Sequence, residues 1–474
     1  MKTYIRNFCL TAIGCMGLVG CAKDNPNITG DVYLTTTNVS TTWLTGMRRQ
    51  MALTLNQVIP NTELVSDNYF NNRTLSNKVF DIPQIDNFDL DVNTLQSAIQ
   101  RLREMAEYGL TTVAAADQAT TNLQKAEMHF IYAYAHLLSG ELFVGLPGTA
   151  KGPVLSPAEH FAKALTELDQ AIALQSNATE KLIYTLFKAR VYYNLGDAQQ
   201  ARTFATAAMA NPLLLKQQAF DGQNGAANTF QTYIFSSTTN EFAPLPRLDF
   251  LDPKYYHTGT IALDQKPISY IKAEEAYLIL AEIQASANDL PGSKTTLKNL
   301  LTEVIAKRPI ISISDANETR NGGNRNDYPL TAARVKFDET DAERSGYVLN
   351  RKAGNVTVYQ VSGTKVTPTD IDAAATQDAL LYTIYRMRQE IFFAEGRRMT
   401  DLGIKFPVSQ TEQLNNPNVK GAHLSAQIPT FIPLNRGMDD FINNAAAGVV
   451  TMKYDMNKVL VSNKTAKEIF PFIN

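Results

Sequence analysis

Cysteine is scarce in this chain, and its position is informative. The 474 residues include three cysteines, Cys9, Cys15 and Cys21, all close to the N-terminus. The sequence after residue 21 can therefore form no intrachain disulfide. It also lacks the thiolates that cysteine-dependent catalysis and cysteine-rich zinc sites require.

Other signatures of chemistry are missing as well. The sequence has no G-x-S-x-G motif, no phosphate-binding loop and no dinucleotide fingerprint. Of the five histidines, only His129 and His136 lie close together, and their seven-residue spacing is not the i, i+4 spacing of helical metal ligands. We therefore expect packing or surface histidines, no catalytic residues, no metal site and no cofactor.

Long apolar runs are also absent, since no segment has the roughly 18 consecutive apolar residues of a spanning helix. Residues 1–20 have a basic start, followed by an uncharged stretch from Phe8 to Val19 that is typical of a secretory signal peptide. The stretch ends in Leu18-Val19-Gly20-Cys21, which resembles a bacterial lipobox. We predict that Cys21 is lipidated and becomes the mature N-terminus. An ordinary signal peptide with an incidental cysteine is the alternative.

The mature chain is slightly acidic. Removal of residues 1–20 takes away Lys2 and Arg6 and leaves 42 basic residues against 46 acidic ones, a net charge of −4. This balance argues against a nucleic-acid partner, for which a basic face is expected. Residues 21–42 are polar and rich in Ser, Thr and Asn, so we expect a flexible tether before a single α-helical domain over residues 43–474.

Apolar residues recur at helical spacing through the middle of the chain. We predict helices over 121–139, 158–174, 181–194, 198–210 and 270–287, followed by one that carries Leu297, Leu301 and Val304. Gly196-Asp197 suits a helix end followed by an N-cap, so the flanking helices should form a hairpin. The pattern predicts a mostly α-helical fold of tetratricopeptide-like pairs, with long irregular loop insertions over 211–268 and 309–377 and minor β structure.

Five segments in succession form a recognisable series. They are KAEMHFIYAYAHLLSGELFVGLPG (125–148), KLIYTLFKARVYYNLGDAQQARTFATAAM (181–209), YIKAEEAYLILAEIQA (270–285), RQEIFFAEGRRMTDLGI (388–404) and IPTFIPLNRGMDDFINN (428–444). Together they resemble the SusD/RagB family of nutrient-binding lipoproteins. The matches run in the order of the family and cover most of the chain.

The resemblance implies about four tetratricopeptide-type helical pairs and a surface-exposed, lipid-anchored position on an outer membrane. It also implies a partner, a TonB-dependent SusC-type channel, to which the protein delivers captured oligosaccharides. A peptide ligand, as in the RagB branch, is the alternative within the same scaffold. A tetratricopeptide scaffold for envelope assembly is the alternative from a different class.

Two predicted loop clusters combine aromatic rings with hydrogen-bonding groups, as sites for sugars and peptides do. The first comprises Asn68, Tyr69, Phe70, Asn71, Asn72 and Arg73, and the second comprises Arg247, Tyr255, Tyr256 and His257. The resemblance places both clusters in ligand-facing loops, and ordinary packing of the same residues is the alternative. A third segment, Asn324 to Tyr328, is polar enough to bind but also fits simple turn chemistry.

The sequence has one tryptophan, Trp43, which we expect in the core near the start of the first helix. The last third of the chain carries a charged cluster, namely Glu390, Glu395, Arg397, Arg398 and Asp401. Paired carboxylates could indicate a glycosidase. The i, i+3 and i, i+4 spacings instead favour ion pairs on a helix surface, which makes a hydrolase the weaker hypothesis.

Overall fold

The computed structural model describes residues 34, 36–73, 80–235, 239–316, 323–351, 354–434 and 437–473. The signal segment, Cys21 and most of the predicted tether lie outside these residues. The α-helices of four or more residues are α1 Val39–Val65, α2 Leu90–Tyr108, α3 Asn122–Leu142, α4 Pro157–Leu174, α5 Ala178–Asn194, α6 Ala198–Ala208, α7 Thr229–Ile234, α8 Glu274–Ser286, α9 Leu290–Asn299, α10 Pro368–Ala373, α11 Gln377–Ile391, α12 Arg398–Asp401, α13 Gln410–Asn415 and α14 Met456–Ser462.

The strands are short. They are β1 Tyr69–Asn71, β2 Leu146–Pro147, β3 Val154–Leu155, β4 Leu215–Gln218, β5 Phe242–Pro244, β6 Ile268–Lys272, β7 Ile310–Ser314, β8 Arg334–Lys336, β9 Asn355–Tyr359, β10 Phe441–Asn444 and β11 Val449–Met452. A 3₁₀ segment over Pro246–Tyr255 and a π turn over Leu300–Val304 complete the main elements.

Four helical pairs form the scaffold, namely α1 with α2, α3 with α4, α5 with α6, and α8 with α9. Neighbouring pairs also touch, because α2 packs on α3, α4 on α5, and α6 on α8. The prediction of a mostly helical fold with about four tetratricopeptide-type pairs is confirmed. No helix in the described ranges is both long and apolar enough to cross a bilayer.

Local sequence sets the helix ends. Thr121 and Ser156 start α3 and α4 with capping boxes. Asp197 caps α6 by accepting from the backbone N–H of Gln200 at 3.0 Å, and Gly196 turns the chain at φ +72°. A Cβ at residue 196 would lie 2.9 Å from the carbonyl oxygen of Pro471, so the C-terminal segment packs tightly into the predicted hairpin.

The structure corrects two predicted boundaries. Helix α1 begins at Val39, inside the predicted tether, because Val39 and Ser40 are buried and Ser40 N donates to Asp117 Oδ2 at 3.0 Å. The predicted helix over 270–287 begins only at Glu274. The residues before it form β6, which pairs with β4 and buries β-branched side chains that favour a strand.

The described parts of the insertions contain strands β4, β5, β7, β8 and β9. Strands β7 and β9 form an antiparallel pair, and β1 pairs with β5 in the same way. A three-stranded sheet has the order β10-β11-β8, in which β11 is antiparallel to β10 and parallel to β8. Strand β10 therefore lies at the edge of this sheet.

Trp43 lies on α1 and packs against the core, as predicted. Its Nε1 donates to the carbonyl oxygen of Met105 at 2.9 Å, and its ring lies 5.2 Å from that of Tyr108. The indole therefore joins α1 to α2 within the first helical pair.

Candidate functional site

The charged cluster of the last third is structural and buried. Helix α11 ends at Ile391, and the chain then turns through Ala394 and Gly396 at φ +59° and +72°. This turn directs the following charges into the interior. The predicted pairing of Glu395 with Arg398 and of Arg397 with Asp401 on a helix surface is wrong, because all four side chains are buried and each pairs with another residue.

Glu390 pairs with Arg386 on the same helix at 3.2 Å, and the other four charges pair with residues of other elements. Arg397 contacts Glu275 at 2.5 Å, Arg398 contacts Asp67 at 2.5 Å, and Arg388 contacts Asp401 at 2.6 Å. Glu395 accepts from two ammonium groups, those of Lys254 at 2.5 Å and of Lys272 at 2.8 Å. Carboxylates neutralised in this way join the helical pairs and are not available as catalytic acids.

The first predicted ligand cluster lies mostly in the interior. Tyr69 is fully buried on β1, its ring stacks on Phe393 at 4.9 Å, and its hydroxyl donates to Asp252 at 3.2 Å. Asn68, Phe70, Asn71 and Asn72 are buried beside it. Arg73 is exposed and donates to the carbonyl oxygen of Thr239 at 3.3 Å. In this conformation only Arg73 of the first cluster presents its side chain to solvent.

In the second predicted cluster Arg247, Tyr255 and Tyr256 are buried as well, whereas His257 is partly exposed. Arg247 contacts Asp455 at 3.2 Å, and the hydroxyl of Tyr255 donates to the carbonyl oxygen of Ala394 at 3.0 Å. Tyr256 stacks on Phe235 at 3.9 Å. The polar sequence around these residues suggested a loop, but Pro246–Tyr255 winds into a 3₁₀ segment that turns their rings inward. The burial argues against ring stacking on a ligand at these positions.

The third segment contributes to an open cleft, here named the Arg325 cleft. Its volume is about 510 Å³, within the range of small-molecule sites. It is lined by Arg325, Glu339, Asp440, Phe441, Ile442, Thr451, Met452 and Lys453. Strands β10 and β11 form its floor, and Ile442 is 69% exposed there.

Arg325 is the fixed centre of this cleft. Its guanidinium lies 3.8 Å above the ring of Phe441. The guanidinium donates two hydrogen bonds of 2.9 Å to the carboxylate of Asp327 and a third, of 3.1 Å, to that of Asp440. The guanidinium in turn holds the pKa of the Asp327 carboxyl below its ordinary value. The Phe441 ring is itself buried, so the cleft presents the planar face of the guanidinium beside groups that donate and accept hydrogen bonds.

The cleft adjoins the first predicted cluster. Asn324 Nδ2 donates to the carbonyl oxygen of Asn71 at 2.9 Å, and Asn72 Nδ2 donates to that of Asn240 at 2.8 Å. Three segments that are distant in sequence therefore meet beside Arg325. Sequence reasoning missed Asp440 and Phe441, whose only signal was their place in the last family-like segment. It also missed Lys453, which lies outside all five segments.

The histidines form no metal site. His136 and His160 face each other with their Nδ1 atoms 2.9 Å apart, and burial lowers the pKa of His160 to about 4. His129 pairs with Glu167 at 2.6 Å instead of with His136. Within the residues that the structure describes, no group of three His, Cys, Asp or Glu side chains is placed to hold a metal ion.

Solved structures share this fold. A SusD superfamily protein from Bacteroides thetaiotaomicron matches with a TM-score of 0.56 and 11% identity, over 81% of this chain and 99% of that one. A candidate sugar-binding protein from Bacteroides vulgatus matches with a TM-score of 0.53 and 15% identity, over 81% and 97%. A SusD-like protein from Bacteroides fragilis matches with a TM-score of 0.53 and 10% identity, over 83% and 98%.

These identities are low, and what they establish is the fold. Neither a protein-family profile nor a curated protein matches the sequence. The chain has the mostly helical SusD-like fold, which confirms the fold that the sequence resemblance implied.

Proposed function

We propose that this protein binds nutrient oligosaccharides at the Arg325 cleft and delivers them, chemically unchanged, to a TonB-dependent SusC-type channel. The observation that carries this proposal is the planar guanidinium of Arg325, which lies on the buried ring of Phe441 in an open cleft on a SusD-like scaffold. Planar faces suit the apolar face of a sugar ring, and carboxylates with guanidinium groups suit its hydroxyls. The sugar-binding description of one structural neighbour supports the same ligand class.

The proposed location is the outer membrane, where Cys21 carries the lipid anchor. The lipobox-like sequence supports this, since attached acyl chains favour the membrane by about 0.8 kcal/mol for each buried CH₂. Fractionation of cells that produce the Cys21→Ser variant tests it. We expect the protein to leave the membrane fraction, and retention there would contradict the anchor. A large barrel protein that co-purifies from outer membranes would support the channel partner, and periplasmic assembly factors would favour the scaffold alternative.

Isothermal titration against a panel of oligosaccharides tests the binding function. We expect saturable binding that Arg325→Ala weakens at least about ten-fold, which corresponds to about 1.4 kcal/mol. Arg334→Ala is the matched control, since Arg334 lies in the same sheet and pairs with Glu343 at 2.6 Å outside the cleft. Chromatography of the ligand after several hours should show no product. Failure to bind any oligosaccharide of the panel would contradict the proposal, and so would release of a product from the ligand.

A peptide is the second candidate ligand, and the position of β10 at a sheet edge favours it. An extended peptide can add to such an edge through main-chain hydrogen bonds. Peptide binding should depend on peptide length and survive Arg325→Ala better than glycan binding does. A peptide panel in the same titration separates the two candidates.

A further inference from the structure

A second cavity lies between two strand pairs, β4–β6 and β7–β9, and is here named the strand cleft. Its volume is about 290 Å³. Its walls are largely apolar, with Leu213, Leu215, Ile311 and Val358 among them, and Gln217 and Gln360 supply amide groups. Leu213 and Ile311 remain 45% and 37% exposed, so the walls offer apolar surface to a bound molecule.

The charge of the lining is entirely of one sign. Four cationic side chains line the strand cleft, namely Lys254, Lys266, Lys307 and Arg308, and within the described ranges no Asp or Glu does so. The Arg325 cleft, in contrast, includes Glu339 and Asp440. A cavity lined by one sign of charge attracts ligands of the opposite sign. The chain as a whole has more acidic than basic residues, so the purely cationic lining of the strand cleft differs from the average charge of the protein.

The carboxylates that pair with Arg308 and Lys254, namely Glu274 and Glu395, are buried and do not line the cavity. Arg308 is held by Glu274 at 2.7 Å and by the carbonyl oxygens of Leu213 and Leu214, so it is fixed in place with four of its five N–H donors occupied. Lys254 shares the single carboxylate of Glu395 with Lys272. Lys254, Lys272 and Glu395 together therefore carry one positive charge in excess. An anion bound in the cleft would stabilise this charge.

Two cations are placed to contact a ligand directly. Lys266 is 20% exposed and bonds Asp264 at 2.5 Å, while Lys307 is 47% exposed and bonds Glu303 at 2.6 Å. An ammonium group has three donors, and each of these uses one on its carboxylate. Both can turn a further N–H towards an anionic group without losing the existing ion pair.

We propose that the strand cleft is a second binding site, which takes a sugar unit that carries a carboxylate or a sulfate. The apolar walls contact the ring, the two glutamine amides bind hydroxyls, and Lys266 and Lys307 bind the anionic group. The choice of a sugar rests on the proposed function, whereas the choice of an anion rests on the lining alone. The site is separate from the Arg325 cleft, so the two can be tested independently.

Titration of the full mature chain with trigalacturonate, and with a neutral trisaccharide, tests the proposal. We expect preference for the acidic probe, weaker binding as salt rises, and at least a ten-fold loss in the double variant Lys266→Gln/Lys307→Gln. Lys298→Gln is the matched control, since Lys298 is comparably exposed and pairs with Asp372 outside the cleft.

The outcomes separate the two proposals. Equal affinity for both trisaccharides, or acidic binding that the double lysine variant retains, would overturn the strand-cleft site and leave capture at the Arg325 cleft intact. A glutamate tripeptide that binds as tightly as trigalacturonate would overturn the assignment to a sugar. Acidic binding that needs Lys266 and Lys307, with no neutral glycan bound in any panel, would support the strand cleft and count against the Arg325 cleft.

Discussion

The guanidinium of Arg398 holds the carboxylate of Asp67 through two hydrogen bonds, Nε to Oδ1 at 2.5 Å and Nη2 to Oδ2 at 3.0 Å, although 331 residues separate them. Both side chains are about 1% exposed. The pair joins the end of α1 to the start of α12, and the buried amide of Gln389 completes it by donating to Asp67 at 2.8 Å.

Removal of one partner of this ion pair should strongly destabilise the folded protein. Asp67→Asn leaves the Arg398 charge without its carboxylate in the interior, and we expect a loss of about 3–5 kcal/mol in the free energy of unfolding. Urea denaturation measures it. Glu127→Gln is the control, because the Arg48–Glu127 pair lies at the surface and such pairs contribute about 0–1 kcal/mol. Equal losses in the two variants would show that burial does not set the cost.

Glu282 should make stability depend on pH. Burial raises the pKa of this carboxyl to about 7, and the hydroxyls of Tyr193 and Tyr385 approach it at 3.0 and 3.3 Å. The folded chain therefore keeps a proton that the unfolded chain loses near pH 4.5. This contribution is full below pH 4.5 and is lost as the pH rises to about 7.

Glu282→Gln removes that dependence, since an amide does not ionise. Relative to the parent, the variant should gain stability between pH 5 and pH 8, by up to about 3 kcal/mol at 1.36 kcal/mol per pKa unit. Thermal melts across this range measure the difference. Glu303→Gln at an exposed position should show none of it. A parallel pH profile for the parent and for Glu282→Gln would contradict the assignment.

The helical pairs could be read from the sequence because their signals are local. The Gly196-Asp197 turn and the capping boxes of Thr121 and Ser156 involve residues within four positions of each other, and all are present in the structure. The pairing of Arg398 with Asp67 could not be read in this way. Charge spacing suggested neighbours on one helix, whereas the turn at Ala394 and Gly396 selects distant partners.

The candidate site was harder to predict than the fold. Aromatic and amide residues near Tyr69 and Tyr255 had the composition of a binding loop, but short strands and a 3₁₀ segment bury them. Composition does not reveal which face of so short an element points inwards. The Arg325 cleft combines residues more than a hundred positions apart, so only the third segment gave a partial signal.

The fluorescence of Trp43 should report on the packing of α1 against α2, the first helical pair. A Cβ at Gly109 would lie 2.7 Å from Trp43 Nε1, so Gly109→Ala should displace the indole although alanine favours a helix. We expect a red-shifted tryptophan emission and a lower midpoint of urea unfolding. Gly421→Ala is the control, because nothing lies within 4 Å of a Cβ at that position. Unchanged emission in Gly109→Ala would mean that the contact relaxes elsewhere.

Asp327 should act as a positioning residue for the Arg325 cleft. Its two bonds to Arg325 are charge-assisted, and Asp327→Asn would lose one of them. We expect glycan affinity to fall by about ten-fold while the thermal midpoint stays within a degree or two, since the pair is partly exposed. Unchanged affinity would show that Arg325 keeps its position on Phe441 without Asp327.

Phe470 and Pro471 pack between helices α5 and α11. Phe470 is fully buried and its ring lies 4.4 Å from that of Tyr385, while Pro471 fills the space left by the absent side chain at residue 196. Deletion of residues 470–472 would therefore open a gap between α5 and α11. A tag or linker inserted within this segment would disturb the same contact, whereas one placed in an exposed loop would leave it intact.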